Sequence, residues 1–289
     1  MQADPEVSPQ VSPQVSVVIP TRRRPDLLPR AVAAVLDQHT EVPFEVLVVN
    51  DDAEPLRCLL PRDARLRVLA SSAQGVSAAR NVGIRAAAAV VVAFTDDDTI
   101  APPGWLDAIH RALTAAPEAV GVEGPVVYGG PWDPLHEHVP EPEIPGGFCS
   151  CNVAYRRDAL FAAGLFDQEF ARPGAEDVDL GLRVSALGPV VYAPDMVMVH
   201  PPRQATTWQL LASGRQIEND WRLHTKHPEL GGTPSRFGGV VWRARRYVQF
   251  ARDPAVTEGS RARAARALAL GAGVTAVGVV TACTRPMPR

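Results

Sequence analysis

The chain runs to 289 residues with 46% hydrophobic and 21% charged side chains, enough to bury a full core and incompatible with general disorder. Its formal charge of -3 conceals an asymmetry: residues 233–289 carry ten arginines against Asp253 and Glu258, a local +8 that leaves -11 on the preceding body. No Gly-x-Gly-x-x-Gly or Gly-x4-Gly-Lys-Ser/Thr loop occurs, so dinucleotide-binding and P-loop readings lose support, and no nucleic-acid partner is expected.

Residues 1–14 hold a Val-Ser-Pro-Gln tandem repeat at 7–14 and acids where a signal peptide would carry bases, and they read as a disordered lead-in. From 15 to about 116, strands and helices alternate, the pattern of a parallel sheet with crossover helices. A first strand at 15–19 stops at Pro20, and a helical stripe follows over 26–38 with apolar residues at 27, 28, 32, 35 and 36. A second strand at 44–49 ends in Asn50-Asp51-Asp52. A short third strand at 66–69 precedes a helix over 76–88, a fourth strand spans 90–95, and a helix covers 104–116. The expected class is α/β, a Rossmann-like and mostly parallel central sheet with helices on both faces and a helical C-terminal appendage.

The fourth strand says most. Five of residues 90–95 are β-branched or aromatic, which reads as a strand covered on both faces, and it ends in Asp96-Asp97-Asp98. Three adjacent carboxylates repel, so a cation is expected beside them. Side chains two apart on an extended segment point the same way, which would aim Asp96 and Asp98 at one point and Asp97 elsewhere. Hard oxygen ligands at that spacing suit Mg2+ or Mn2+ completed by water and a phosphate. A solvated acidic turn is the alternative. Residues 20–24, 50–52 and 96–98 all follow strands, at the carboxyl ends where open α/β sheets bind ligands.

Residues 129–147, rich in Pro, Gly and Glu, read as a long loop of the kind used as a lid or binding loop. A strand at 152–155, a helix over 157–163 and a loop to 174 lead to a helix opening on Glu176-Asp177-Val178-Asp179-Leu180. Short strands at 190–192 and 196–199 end at His200, and only helices are expected beyond 205. Asp179 and Arg183, four apart, read as a surface pair. Trp105 suits sugar stacking or a core position equally. His136-Glu137-His138 has no metal-ligand spacing. Cys149 and Cys151 supply small residues near the site, and with Cys58 and Cys283 they are too scattered for a disulfide framework, which fits a reducing cytosol. Residues 267–283 are uncharged but dominated by Ala and Gly, an amphipathic or buried helix rather than a membrane span. The basic tail suggests contact with anionic lipid or another polyanion, although Lys226 is the only lysine, so compositional bias also explains the arginines.

Six segments in order, Val-Ser-Val-Val-Ile-Pro-Thr at 15–21, Val-Val-Asn-Asp at 48–51, Ala-Ala-Arg-Asn-Val-Gly at 78–83, Phe-Thr-Asp-Asp-Asp at 94–98, Glu-Asp-Val-Asp-Leu at 176–180 and His200, resemble the inverting glycosyltransferases of family 2, which have the GT-A nucleotide-diphosphosugar fold. The match covers about residues 15–228. It implies a GT-A domain over 15–228, with a nucleotide-sugar-binding half at 15–116, an acceptor-side half at 117–228, and an Arg-rich helical tail at 229–289. The resemblance places Pro20, Thr21 and Arg24 at the nucleotide and Asp51 at its base, with Asn50-Asp51 standing where Asp-Asp is more common. It places Arg80 and Asn81 by the pyrophosphate or ribose, and Asp97 by the ribose or donor sugar. Asp96 and Asp98 correspond to the Asp-x-Asp metal motif for Mn2+ or Mg2+, His200 adds a ligand, and Asp177 is the general base.

The implied reaction moves a sugar from a nucleotide diphosphosugar, a UDP-sugar by preference, to a hydroxyl on a carbohydrate, lipid-linked or small-molecule acceptor. The expected location is the cytoplasm, peripheral at the inner face of the cell membrane. Bland roles compete: Arg80 on a helix surface, His200 as a strand-end residue, Glu176 and Asp177 as acids favoured by a helix dipole. A Mg2+-dependent phosphohydrolase is an alternative, but its motif wants Thr or Val where Ile100 stands and usually lies on the first strand. A non-catalytic nucleotide-sugar or glycan-binding protein is the other.

Overall fold

The computed structural model describes residues 12–56, 60–72, 75–131, 133–138, 145–170, 173–230 and 238–284. Cys58, Arg236, Arg285, Arg289, residues 1–11 of the expected lead-in and 139–144 of the expected long loop lie outside them.

In the first half, β1 (Val15–Thr21), α1 (Leu28–Leu36), β2 (Phe44–Asn50), β3 (Leu66–Ala70), α2 (Val76–Ala86), β4 (Val91–Phe94) and α3 (Trp105–Ala115) follow the expected alternation. Then come β5 (Gly121–Glu123), β6 (Val126–Val127), β7 (Glu137–His138), β8 (Val153–Arg156), α4 (Arg157–Ala162), α5 (Glu176–Ser185), β9 (Val190–Tyr192), β10 (Met198–Val199) and β11 (Arg203–Gln204). Helices α6 (Thr207–Ala212), α7 (Ile217–Lys226), α8 (Gly238–Arg252), α9 (Pro254–Thr257) and α10 (Arg261–Thr284) complete the described chain, with a 3-10 turn at Ser213–Gln216.

The central sheet has the order β3-β2-β1-β4-β8-β5-β9. Only β8 runs against the rest, antiparallel to both β4 and β5. Alternate residues of the inner strands feed two cores. Val17, Ile19, Val46 and Ala93 pack with α1 and α3 on one face, whereas Val18, Leu47, Val92 and Phe94 pack with α2, α4 and α5 on the other. Both faces are covered, which is why these strands read as unbroken apolar runs rather than alternating ones. The chain lays β2 and β3 on one side of β1, then returns to lay β4 on the other. The connection reverses between β1 and β4, so a crevice opens at their carboxyl ends.

Three departures from the sequence reading have physical causes. β1 continues through Pro20 to Thr21 because it pairs with β4 only as far as Val18; beyond that, β2 is its sole neighbour and the proline lacks a donor where none is needed on the open side. β5 escapes detection because it is three residues long and opens on glycine. That glycine is required, since a Cβ at Gly121 would lie 2.4 Å from the Tyr155 ring. The pairs β6/β10 and β7/β11 are two-residue ribbons created by tertiary contact, and of their strands only β10, inside the strand expected at 196–199, is legible in the sequence.

One of those ribbons positions the site. Ile100 and Val199 exchange backbone hydrogen bonds of 2.8 and 3.0 Å, and the His200 amide donates to the Val127 carbonyl at 2.9 Å. His200 is thereby carried to the end of β4. The C-terminal helices form a layer of their own. Leu210, Tyr247, Ala267, Leu270 and Val274 pack around Leu135, and Arg266 donates to the Leu135 carbonyl. α10 is neither fully buried nor amphipathic: it buries Leu270 and Val274 but leaves Leu268 and Val280 exposed. By length and composition it is the one described helix able to cross a membrane.

Candidate active site

The crevice is built on the turn after β4. Strand geometry ends at Phe94, and the Thr99 amide donates to the Asp96 carbonyl across a tight turn. The alternation rule therefore stops before the carboxylates, and the expected pairing of Asp96 with Asp98 is replaced by another. Asp97 and Asp98 share the Arg24 guanidinium at 2.7 and 3.0 Å, while Asp96 turns to Arg80 at 3.1 Å. Arg203 reaches Asp98 at 2.8 Å. The triplet does attract cations, and they are three arginines from the end of β1, α2 and β11.

Thr21, buried at the end of β1, donates to Asp97 at 2.7 Å. Burial raises the Asp97 pKa, working against Arg24 and the Thr21 hydrogen bond. Arg24 also responds: burial disfavours its charge, but Asp97 and Asp98 outweigh that and its pKa is raised. His200 is 4% exposed and sets Nε2 3.5 Å from Asp98 Oδ1. Its Nδ1 lies 3.1 Å from the Pro201 carbonyl, which only accepts, so Nδ1 donates there and Nε2 is left facing the carboxylate. An imidazole nitrogen and a carboxylate oxygen brought together in this way are both possible ligands of a cation. No group of three or more His, Cys, Asp or Glu residues able to hold a metal occurs among the described residues. The donor set is thus one carboxylate and one imidazole, which fits a divalent ion that takes few protein ligands and completes its shell from phosphate and water.

Arg80 belongs to the interior rather than to a helix surface. It is 3% exposed, donates to Glu176 at 2.8 Å and to Asp96, and lies 5.3 Å from the centre of the Phe166 ring. Burial works to lower its pKa, yet Asp96, Glu176 and Asp177 together raise it. Its Nε is buried without a hydrogen-bond partner. Asn81, the next residue, faces elsewhere: its amide donates to the Phe166 carbonyl and accepts from the Phe166 amide, both at 2.9 Å. It fastens the Phe166 backbone and does not join the crevice.

Glu176 and Asp177 open α5 after a loop that turns through left-handed backbone at Gly174 (φ +113°) and Ala175 (φ +70°). A non-glycine residue held there is strained, a feature that clusters at functional sites. The loop is clamped from the helical layer by Asn219, which donates to the Gly174 carbonyl at 2.6 Å, and by Gln216, which donates to Pro173 at 2.9 Å. Glu176 accepts from Arg80 and from the Gly174 amide. Asp177 accepts from the Ser150 amide and hydroxyl at 3.3 and 3.4 Å and from the Val178 amide at 2.9 Å. Burial raises both acids; Asp177 raises Glu176 further, to about 7, against the pull of Arg80.

Ser150 belongs to a loop gripped by a residue the sequence did not expose. Glu123, buried on β5, accepts from the Gly146 and Phe148 amides at 2.5 and 2.8 Å. Gly181 on α5 lies flush against Phe148, where a Cβ would come within 2.1 Å of the ring.

Asp51 stands apart from the triplet. It is buried at the end of β2, accepts from the Gly75 amide at the start of α2 at 2.9 Å, and lies 3.9 Å from Arg22. Asn50 and Asp52, with Thr21, Arg24, Leu28 and Glu54, line a cavity of about 310 Å3 beside it. Pro20 is buried within β1.

Other expectations resolve. Trp105 is a core residue, 1% exposed, donating to Asn152. Asp179 and Arg183 do pair, at 2.6 Å, but Asp179 is fully buried, and Lys226 and His227 also meet it at 2.8 and 2.9 Å; the surface-pair reading fails because α7 folds over them. Cys149 and Cys151 flank Ser150 with their sulfurs 3.3 Å apart, in hydrogen-bond contact and not in a disulfide.

The fold is the GT-A arrangement. Over 96% of this chain and 89% of the other, it superposes with a TM-score of 0.58 at 16% identity on the mannosyltransferase PcManGT from Pyrobaculum calidifontis, solved in complex with GDP-Man and Mn2+. Residues 1–349 of Staphylococcus aureus TarS, solved with UDP-GlcNAc, match with a TM-score of 0.54 at 17% identity, over 92% and 91% of the two chains. The family model of glycosyl transferase family 2 matches residues 16–160, and the chain belongs to that family. Among its relatives, the validoxylamine A glucosyltransferase of Streptomyces hygroscopicus subsp. jinggangensis is 28% identical over 78% of this chain and 63% of its own length. The hyaluronan synthase of Pasteurella multocida is 25% identical over 64% of this chain. The chain spans only 24% of that synthase and less than two thirds of the glucosyltransferase.

Proposed function

We propose that the protein is a metal-dependent, inverting glycosyltransferase that moves a sugar from a nucleotide diphosphosugar to an acceptor hydroxyl. The observation that carries this reading is the convergence, at one sheet edge, of the Asp96-Asp97-Asp98 turn, the Thr21 and Arg24 end of β1, buried Arg80, and the Glu176-Asp177 start of α5. Residues 15–116 would bind the donor and 117–228 the acceptor, with 229–289 as an appended helical tail.

In this reading the cavity lined by Thr21, Arg24, Asn50 and Asp52 takes the nucleoside, with Pro20 and Asp51 as the neighbours of these residues at the ends of β1 and β2. Asp97 holds Thr21 and Arg24 ready for the ribose or donor sugar, and Arg80 offers its guanidinium toward the diphosphate. Asp98 and His200 would hold Mn2+ or Mg2+, and Asp96, ion-paired to Arg80 in this structure, is the other acid of the motif. Bound there, the ion offsets the charge that develops on the departing nucleoside diphosphate. Asp177 takes the proton of the acceptor hydroxyl as its oxygen attacks the anomeric carbon from the face opposite the leaving group, which inverts that carbon. Its burial raises its proton affinity, as a base requires. Ser150 orients the carboxylate by two hydrogen bonds. Asn81 supports the site through Phe166 instead of touching donor.

A UDP-sugar remains the favoured donor, and the acceptor is a glycan, glycolipid or small-molecule hydroxyl met at the inner face of the cell membrane. Calorimetric titration with UDP, GDP and dTDP, in Mn2+ and in EDTA, tests the donor half. Metal-dependent binding of one nucleotide, lost in Asp98→Ala, is the expected result; absence of binding by all three would overturn the reading.

A further inference from the structure

The helical layer carries a surface that the donor site does not use. α8 and α10 pack antiparallel, with Gly271 against the Tyr247 Cβ and Gly278 against Val240. The seam buries the inward side of α10, and in a helix lying on a water-soluble body the outward side should then be polar. It is not. Leu268, Ala272, Ala276, Val279 and Val280 are exposed in succession along α10, and Val241 and Val248 are exposed beside them on α8. All of these but Val241 line an apolar cleft of about 570 Å3. A contiguous exposed patch of this kind marks a contact surface.

Its charges say what it meets. Neither α8 nor α10 contains an acidic residue. Arg245, Arg252 and Arg261 are exposed there with no carboxylate within ion-pair distance among the described residues, unlike Arg243 and Arg263, which pair with Asp220 and Asp133. The nearby acids are engaged elsewhere: Asp253 caps α9 and Glu258 lies near Arg263. A second copy of this chain would bring the same cations and no anions, so the face is not complementary to itself in charge. A bilayer with anionic headgroups supplies both missing halves, phosphates for the arginines and acyl chains for the valine and leucine side chains.

We propose that the outward face of the α8–α10 hairpin docks on an anionic phospholipid bilayer, lying in the interface and not spanning it. The proposal deepens the peripheral placement given above, and its test reads binding without requiring glycosyl transfer. The same layer reaches the crevice physically: Leu135 packs among the α8 and α10 side chains, β7 follows it, and β11 on β7 carries the Arg203 that holds Asp98.

The experiment is co-sedimentation of the purified chain with vesicles of phosphatidylcholine alone or mixed equally with phosphatidylglycerol, at low and high salt. Binding to the mixed vesicles only, reversed by salt and by an alkaline wash, is expected. The triple variant Arg245→Glu/Arg252→Glu/Arg261→Glu should bind at least about tenfold more weakly. Leu268→Ser/Val279→Ser/Val280→Ser should also bind more weakly, with far-ultraviolet circular dichroism unchanged in both. Equal binding to neutral vesicles, binding that survives either triple, or resistance to the alkaline wash would overturn the proposal. So would a dimer by light scattering that the serine triple dissolves, which would make a second copy the occupant. Nucleotide binding measured on the same preparations separates failure of this face from failure of the donor site.

Discussion

Two acidic corners face one crevice and are compensated differently. At the turn after β4, three carboxylates meet three guanidiniums: Arg24 spans Asp97 and Asp98, Arg203 adds a contact to Asp98, and Arg80 takes Asp96. At the start of α5, Glu176 is buried and Asp177 half-buried, and both depend on that same Arg80, which already serves Asp96. The first corner is matched charge for charge, as suits residues that hold a ligand. At the second, burial raises both acids, and with one shared guanidinium against it Glu176 is carried to about 7, as suits a place where a proton is accepted; Asp97 in the first corner is raised by burial as well, against Arg24 and Thr21.

Removing the proton acceptor breaks that contrast most severely. Asp177→Asn should lower transfer by about 10^2- to 10^4-fold, the range of general base catalysis, while calorimetry finds nucleotide binding intact; unchanged turnover would take Asp177 out of the role. Arg80→Ala attacks both corners at once. It leaves Glu176 buried without its ion pair and Asp96 without its own, and should cost about 3–5 kcal/mol of folding stability in urea unfolding. A loss under about 1 kcal/mol would show that the α5 corner does not depend on the guanidinium.

A pH series sharpens the comparison. Glu176 is raised from an ordinary 4.5 to about 7, so the folded chain binds its proton more tightly than the unfolded chain does. Its stabilising contribution is therefore complete below about pH 4.5, declines as pH rises, and levels off above about 7. Glu176→Gln should flatten that decline in unfolding measured across the window. Asp63 has the opposite sign: hydrogen bonds from Arg65 draw it below 3.8, so its contribution disappears only as pH falls further. A smaller effect is expected from Gly181→Ala, where the added methyl meets Phe148, at about 1–3 kcal/mol of overpacking. Because Phe148 shares its loop with Ser150, transfer should fall as well, which assay of the same variant checks.

What was legible in the sequence follows from how each element is stabilised. β1, β2 and β4 announce themselves because both faces are buried, and α5 because its opening acids sit on an amphipathic stripe. β5, β7 and β11 are two or three residues long and exist only because a distant strand arrives beside them, so no local pattern marks them. In the site, residue types were readable but their partners were not. Asp96 meets Arg80, not Asp98, because a turn replaces the extended geometry from which alternation is inferred. Arg203 stands three residues past His200, a detectable spacing, yet only the β7–β11 ribbon reveals that it reaches Asp98. Asp179 resembled a surface acid until α7 covered it.

That covering of Asp179 has a practical side. Lys226 is the only lysine in the chain, and its ammonium is tied to Asp167 and Asp179 at 2.7 and 2.8 Å. Lys226 is nevertheless exposed, so amine-directed reagents reach the sole ε-amino group in the folded chain. Acylation at this one position, followed by mass spectrometry, places a single label at the end of α7, and removing its charge tests how far the Asp167 and Asp179 contacts hold that helix on α5.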